Sequence, residues 1–171
     1  MTDPDRHPRD RSRHAETAAD MPTVAEMAAM TGMEFIEGVR DGRLTAAPIA
    51  RTLNFWMEEV ADGRAVFRGR APFRAYNPLG AVHGGWFGAI LDSCMACAAH
   101  TKLPKGRSYT TLEYKINILR PLTEASGEVL AIGEAIHVGR RTATAEGRVI
   151  GAEDGKLYAT GSTTCLVMEL D

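Results

Sequence analysis

No stretch of this sequence is long and apolar enough to cross a bilayer. Its most hydrophobic segment, residues 83–101, is interrupted by His83, Asp92 and His100, whereas a spanning helix needs roughly 18 to 20 consecutive apolar residues. An excess of one charge is missing too. The formal net charge is only −2 over 171 residues, so nothing in the overall balance calls for nucleic acid or an anionic membrane. The opening MTDPDRHPRDRSRH lacks the apolar core of a signal peptide. Cysteine is scarce: Cys94, Cys97 and Cys165 leave one over after any pairing, which argues against a secreted disulfide framework. The expectation is a soluble cytoplasmic protein. The chain is 44% hydrophobic, enough for one globular domain with a core.

Residues 1–20 carry no large apolar side chain beyond Met1 and are read as a disordered tail, with the domain over 21–171. Five acidic residues among its four arginines weaken a nucleic-acid arm. Thr23 and Glu26 form the signature of a capping box, predicting a helix through TVAEMAAMTGMEFIEGVRDG that ends near Gly42 and Pro48. Residues 49–58 and 64–70 flank Asp62-Gly63 and read as a hairpin. A loop containing Asn77 follows. Residues 83–101 are too long and apolar for one strand and read as a buried helix. Four strands close the chain, at roughly 108–119, 126–138, 141–152 and 156–168, predicting an antiparallel meander. The fold class is α+β, with a sheet curling round one helix.

Between Arg74 and Lys102 the only formally charged residue is Asp92. An ionised carboxylate among Phe87, Ile90, Leu91 and Met95 costs several kcal/mol unless it is paired or hydrogen-bonded. It is either a structural acid, bonded to groups such as the Ser93 hydroxyl, or a catalyst. His83-Gly84-Gly85 stands at the start of the same helix, where unpaired N–H groups and the positive end of the dipole can hold a developing oxyanion. The alternative for the glycines is close helix–sheet packing. Asn77 can hydrogen-bond a carboxylate, water or carbonyl. Eight steps at ~1.5 Å put Gly84 and Asp92 ~12 Å apart, too far for one carbonyl to reach both. If both serve one reaction, two helices packed antiparallel across a twofold axis would have to share the site.

NPLGAVHGGWFGAILDSCMA, YTTLEYKINILRP, HVGRRTATAEGRV and DGKLYATGSTT, in that order, resemble the PaaI-type thioesterases of the hotdog superfamily over residues 24–168. The resemblance implies a hotdog fold, a long central helix wrapped by a curved antiparallel sheet, here with an additional N-terminal helix. It implies hydrolysis of acyl-CoA or aroyl-CoA thioesters without metal or cofactor, in a homodimer or homotetramer. It places the catalytic acid on Asp92, the oxyanion amide on Gly84, the loop amide on Asn77 and a strand hydroxyl on Thr111, or Thr110 if the register shifts by one. The aroyl-CoA branch carries a Thr one turn after the acid, where this chain has Ala96. His83 and Gly85 at the helix start, and Arg140 and Arg141 at a hairpin tip, are candidates for substrate binding. His83, nine steps from Asp92 and on the opposite helix face, suits support better than catalysis.

Other signals are weaker. Cys94-Met-Ala-Cys97 lies mid-helix, away from the N-terminal position that stabilises a thiolate, and with His100 it spreads its ligands awkwardly for one metal. Strand 108–119 alternates Leu112, Tyr114, Ile116 and Ile118, read as a core face, against Thr111, Glu113, Lys115 and Asn117. Arg120 is a further candidate for CoA phosphates. Trp86 and Phe87 line either the acyl pocket or the core. The alternatives in function are a non-catalytic acyl-CoA-binding hotdog module and a hotdog hydratase, whose paired Asp and His this motif does not match.

Overall fold

A computed structural model describes residues 7–170. The order of elements is β1 (Arg13–His14), α1 (Val24–Ala28), α2 (Gly32–Arg40), β2 (Thr45–Ala46), α3 (Pro48–Leu53), β3 (Phe55–Ala61), β4 (Arg64–Gly69), α4 (Gly84–His100), β5 (Arg107–Ile118), β6 (Val129–Val138), β7 (Thr142–Gly151) and β8 (Leu157–Glu169). Six strands form one sheet in the order β3-β4-β6-β7-β8-β5, with every neighbouring pair antiparallel. The sheet packs around α4, whose Phe87, Ile90, Leu91, Cys94 and Met95 are almost wholly buried. This is the hotdog arrangement expected from the sequence. Close approach is needed to wrap a sheet round a helix, and β6 achieves it at Gly133. A Cβ there would stand 2.2 Å from the Cys94 carbonyl oxygen. No helix among the described residues is long and apolar enough to cross a membrane.

Five expectations are corrected. The closing strands are not one meander: β6, β7 and β8 pair in succession, but β5 pairs with β8 at the sheet edge. The segment after β5 is no tight turn. Leu119 N–H bonds the Tyr158 carbonyl and Val82 N–H bonds the Leu122 carbonyl, so the chain passes the start of α4, burying Leu122, before entering β6 beside β4. Residues 49–53, expected to open the first strand of the hairpin, are helix instead, within α3. Pro48 occupies the first helical turn, where its missing N–H costs nothing, and left-handed Asn54 (φ 56°) ends the helix.

The single N-terminal helix is two, because Thr31 and Glu34 form a second capping box that restarts the helix after Thr23 and Glu26. The expected tail is packed over its described part. His7 stacks on Trp56 at 4.7 Å between ring centroids, β1 pairs with β2, and Ser12 and Ala15 are buried. Short polar turns hold it, with Asp10 accepting from Ser12 N–H and Asp20 from Thr17, a mode that counting large apolar side chains overlooks. Residues 1–6 of the expected tail lie outside the described residues.

Candidate active site

Asp92 occupies the middle of α4 and is half-buried. Its Oδ1 accepts a hydrogen bond from Thr111 Oγ1 on β5 at 2.9 Å. Thr110 is exposed, so Thr111 is the hydroxyl that meets the acid. Burial pushes the Asp92 carboxyl above its usual range, and the Thr111 bond offsets part of that rise. Among the described residues it has no ion-pair partner. Ser93 does not stabilise it: Ser93 Oγ donates back to the Ala89 carbonyl.

Thr111 reaches Asp92 because β5 is not regular. A bulge between Thr111 and Glu113 shifts the register against β8, and a bulge moves the following side chains to the other face. Thr111 therefore shares the helix-facing side with Tyr114, Ile116 and Ile118. Strict alternation had placed it opposite them. Nor is the apolar side a closed core. Leu112, Tyr114 and Ile118 are 57%, 46% and 45% exposed, and β5 is the edge strand, with no strand beyond it among the described residues.

At the other end of the face, Gly84 is the first residue of α4, and its N–H has no acceptor among the described residues. Its surroundings are open, since a Cβ there would meet only Ile118 Cδ1, at 3.4 Å. Gly85 differs: its N–H donates to His83 Nδ1 at 2.9 Å. His83 is thus the N-cap of α4, and the Gly85 amide is already engaged. A Cβ on Gly85 would stand 3.0 Å from that same ring nitrogen, so the second glycine fits the cap rather than the sheet.

Asn77 sits in a loop at the Gly84 end of the helix. Its Oδ1 accepts from the Leu79 and Ala81 N–H groups at 2.9 and 3.3 Å, and His83 N–H closes on the Ala75 carbonyl. The loop is held by its own hydrogen bonds and leaves the Asn77 Nδ2 donor unused among the described residues.

Arg140 and Arg141 are exposed at the β6–β7 tip. Thr111 pairs with Cys165 and Cys165 with Ala143, so this tip is level with the Asp92 end of the helix. The structure therefore brings Asp92 and Thr111 together, gathers Asn77, His83 and Gly84 some 12 Å away along the helix (eight residues at ~1.5 Å each), and sets the arginines beyond Asp92. Arg120 is spent on the Leu157 carbonyl. Trp86 and Phe87 are both core, and Trp86 Nε1 donates to the Leu53 carbonyl at 2.8 Å.

Cys94 and Cys165 are buried and all three cysteines are free. Burial pushes the Cys97 thiol up to about 12, with the nearby Asp92 charge adding to it, and raises Cys94 as well. These are poor conditions for a thiolate nucleophile. Burial drives His100 down to about 4; its ring packs between Phe35 and Tyr109, as a neutral core histidine. Among the described residues no three His, Cys, Asp or Glu side chains cluster as metal ligands. The same helix face carries Gly88, with Tyr114 against it; neither stands out in the sequence as a site residue. The four-residue spacing Gly84, Gly88, Asp92 was available as a signal, but the bulge that aims Tyr114 was not.

Residues 79–158 match the family model described as the thioesterase superfamily. The PaaI phenylacetic acid degradation protein of Thermus thermophilus, solved as a point mutant, is 30% identical. It covers 70% of this chain and 97% of its own, with a TM-score of 0.62. The chain belongs to the hotdog-fold thioesterase superfamily. A Pseudomonas aeruginosa protein named as an esterase, PA1618, is 34% identical over 98 residues, which span 57% of this chain and 66% of that protein, just under two thirds of its length. The thioesterase HI1161 of Haemophilus influenzae, at 23% identity, shares the fold with a TM-score of 0.66 over 71% of this chain and 83% of its own. Within this thioesterase-family chain, the matched window contains His83, Gly84, Gly85, Asp92, Thr111, Arg140 and Arg141, while Asn77 falls two residues before it. Membership supports thioester hydrolysis as the general chemistry.

Proposed function

We propose that this protein hydrolyses acyl-CoA or aroyl-CoA thioesters to the free acid and CoA, in a site built from two copies of the chain. One observation carries the reading. Among the described residues, a half-buried carboxylate without a cation, Asp92, and an amide without an acceptor, Gly84, share one face of α4 along the open sheet edge. Thioester cleavage needs both kinds of group, a nucleophile or base and a donor for the oxyanion. Their ~12 Å separation keeps one carbonyl from reaching both within a chain. A second α4, antiparallel across a twofold axis, sets its Gly84 opposite this Asp92 and the reverse. The exposed apolar side chains of β5, Leu112, Tyr114 and Ile118, suit burial against that second copy.

In this arrangement the acyl oxygen takes the Gly84 N–H of one copy, with Asn77 of that copy nearby as a further donor. Asp92 of the other copy either attacks the carbonyl carbon, expelling the CoA thiolate and leaving an anhydride for water to open, or removes a proton from an attacking water. Thr111 holds the carboxylate oriented and ionised. His83 sets the helix start, with Gly85 completing the cap. Arg140 and Arg141 offer two positive charges to CoA phosphates.

The test is Asp92→Asn, assayed by thiol release from acyl-CoA. Turnover should fall by roughly 10²- to 10⁴-fold, whereas near-normal turnover would overturn the site. The same variant has a second readout. Because burial raises the folded carboxyl's pKa, its ionised form costs stability, and that cost is absent in acid and sets in as pH rises through the raised value. Asp92→Asn should therefore melt above the wild type at neutral pH, with the difference shrinking in acid.

A further inference from the structure

Gly84, Gly88 and Asp92 follow one another at four-residue intervals and so form one stripe along α4. β5 runs beside that stripe and matches it residue by residue. Ile118 stands by Gly84, Tyr114 by Gly88 and Thr111 by Asp92. The middle contact is the tightest. A Cβ on Gly88 would lie 2.9 Å from Tyr114 Oη and 3.4 Å from its Cζ, so the phenol tip rests on bare helix backbone. Its hydroxyl has no hydrogen-bond partner among the described residues, and the side chain is 46% exposed. A half-exposed aromatic ring thus stands between the two groups the reaction needs.

We infer that Tyr114 is the end wall of the acyl pocket and restricts the substrate to short or single-ring acyl groups. The inference rests on the shared-site reading above. A twofold axis that sets Gly84 against the other copy's Asp92 passes at the midpoint of the stripe, level with Gly88. The Tyr114 rings of both copies then meet near that axis, four residues or ~6 Å along the helix from each reaction centre. A thioester has two arms. The CoA arm carries phosphates and must run outward to water, towards the end of the site where Arg140 and Arg141 are exposed. The acyl arm then points inward, towards the axis, and has ~6 Å before it meets the tyrosines. At ~1.5 Å per bond that admits about four carbons beyond the carbonyl, or one benzene ring.

The experiment measures kcat/KM by thiol release over saturated acyl-CoAs from acetyl to dodecanoyl, with benzoyl-CoA, for the wild type, Tyr114→Ala and Tyr114→Trp, each verified at wild-type assembly mass. The wild type should lose efficiency beyond about pentanoyl. Tyr114→Ala should raise the decanoyl-to-butyryl ratio by roughly 10- to 100-fold, as expected when a pocket admits further methylenes. Tyr114→Trp should move the preference towards acetyl, so the pair reads the wall in opposite directions. An unchanged ratio in both variants, with Asp92→Asn inactive, would overturn the wall while leaving the site standing. A wild type that prefers long chains would overturn it as well. An active Asp92→Asn would overturn the site and the wall together.

Discussion

Replacing Thr111 with Val removes one hydroxyl and keeps the branched shape. Thr111 Oγ1 donates to Asp92 Oδ1 at 2.9 Å, and this bond opposes the upward pull of burial on the carboxyl. A hydrogen bond to a charged group contributes about 1.5–3 kcal/mol. Asp92 is half-buried, so water takes up part of the loss and the lower end, about 1.5 kcal/mol, applies. That corresponds to roughly 10-fold in the ionisation equilibrium.

The sign is fixed by which form the bond favours. A donor to the carboxylate favours the charged form, so its removal favours the protonated, inactive form. The acidic limb of the kcat/KM profile should therefore move to higher pH, with about 10-fold less activity at a pH on that limb. Raising the pH should recover most of the loss. Thr111→Ser, which restores the hydroxyl, should return the limb to its place. The assay is thiol release from one acyl-CoA across the pH range. A limb that stays put in Thr111→Val, or a Ser variant as impaired as Val, would refute the role of this bond.

Loss of the hairpin-tip charges should act on binding alone. Arg140→Ala with Arg141→Ala should raise KM for acyl-CoA several-fold, consistent with lost phosphate contacts at an exposed site. It should leave KM unchanged for an acyl-N-acetylcysteamine, which carries no phosphate, and equal effects on both would remove the arginines from the site.

Much of this was readable from single residues. Asp92 stood out because nothing else in residues 75–101 carries a formal charge, and the length and apolarity of that segment made a buried helix the natural reading. The hairpin at Asp62-Gly63 and the Thr23–Glu26 box are local chemistry, and local chemistry survives folding. What escaped was set by tertiary context. The bulge after Thr111 has no sequence marker, yet it decides which face Thr111, Tyr114 and Ile118 occupy. The exchange of neighbours that puts β5 beside β8 depends on where residues 119–128 cross the helix start, and Pro121 by itself suggests only a turn. Residues 7–20 escaped because their order comes from polar turns, a ring stack and strand pairing rather than from a hydrophobic face.

The central claim is that Asp92 and Gly84 of different copies make one site, and subunit mixing tests it most directly. Gly84→Pro removes the N–H donor with little other disturbance. Proline is favoured at the first position of a helix. His83 already has the extended backbone (φ −64°, ψ 142°) that a residue before proline requires, and the space around Gly84 is open. Gly84→Pro alone should lose roughly 10²- to 10³-fold in kcat, and Asp92→Asn alone at least as much. Unfolded and refolded together in equal amounts, the two variants should regain about a quarter of wild-type activity. About half of the dimers then contain one of each, and each mixed dimer has one intact site of two. A mixture no more active than its two inactive parents would contradict the shared site.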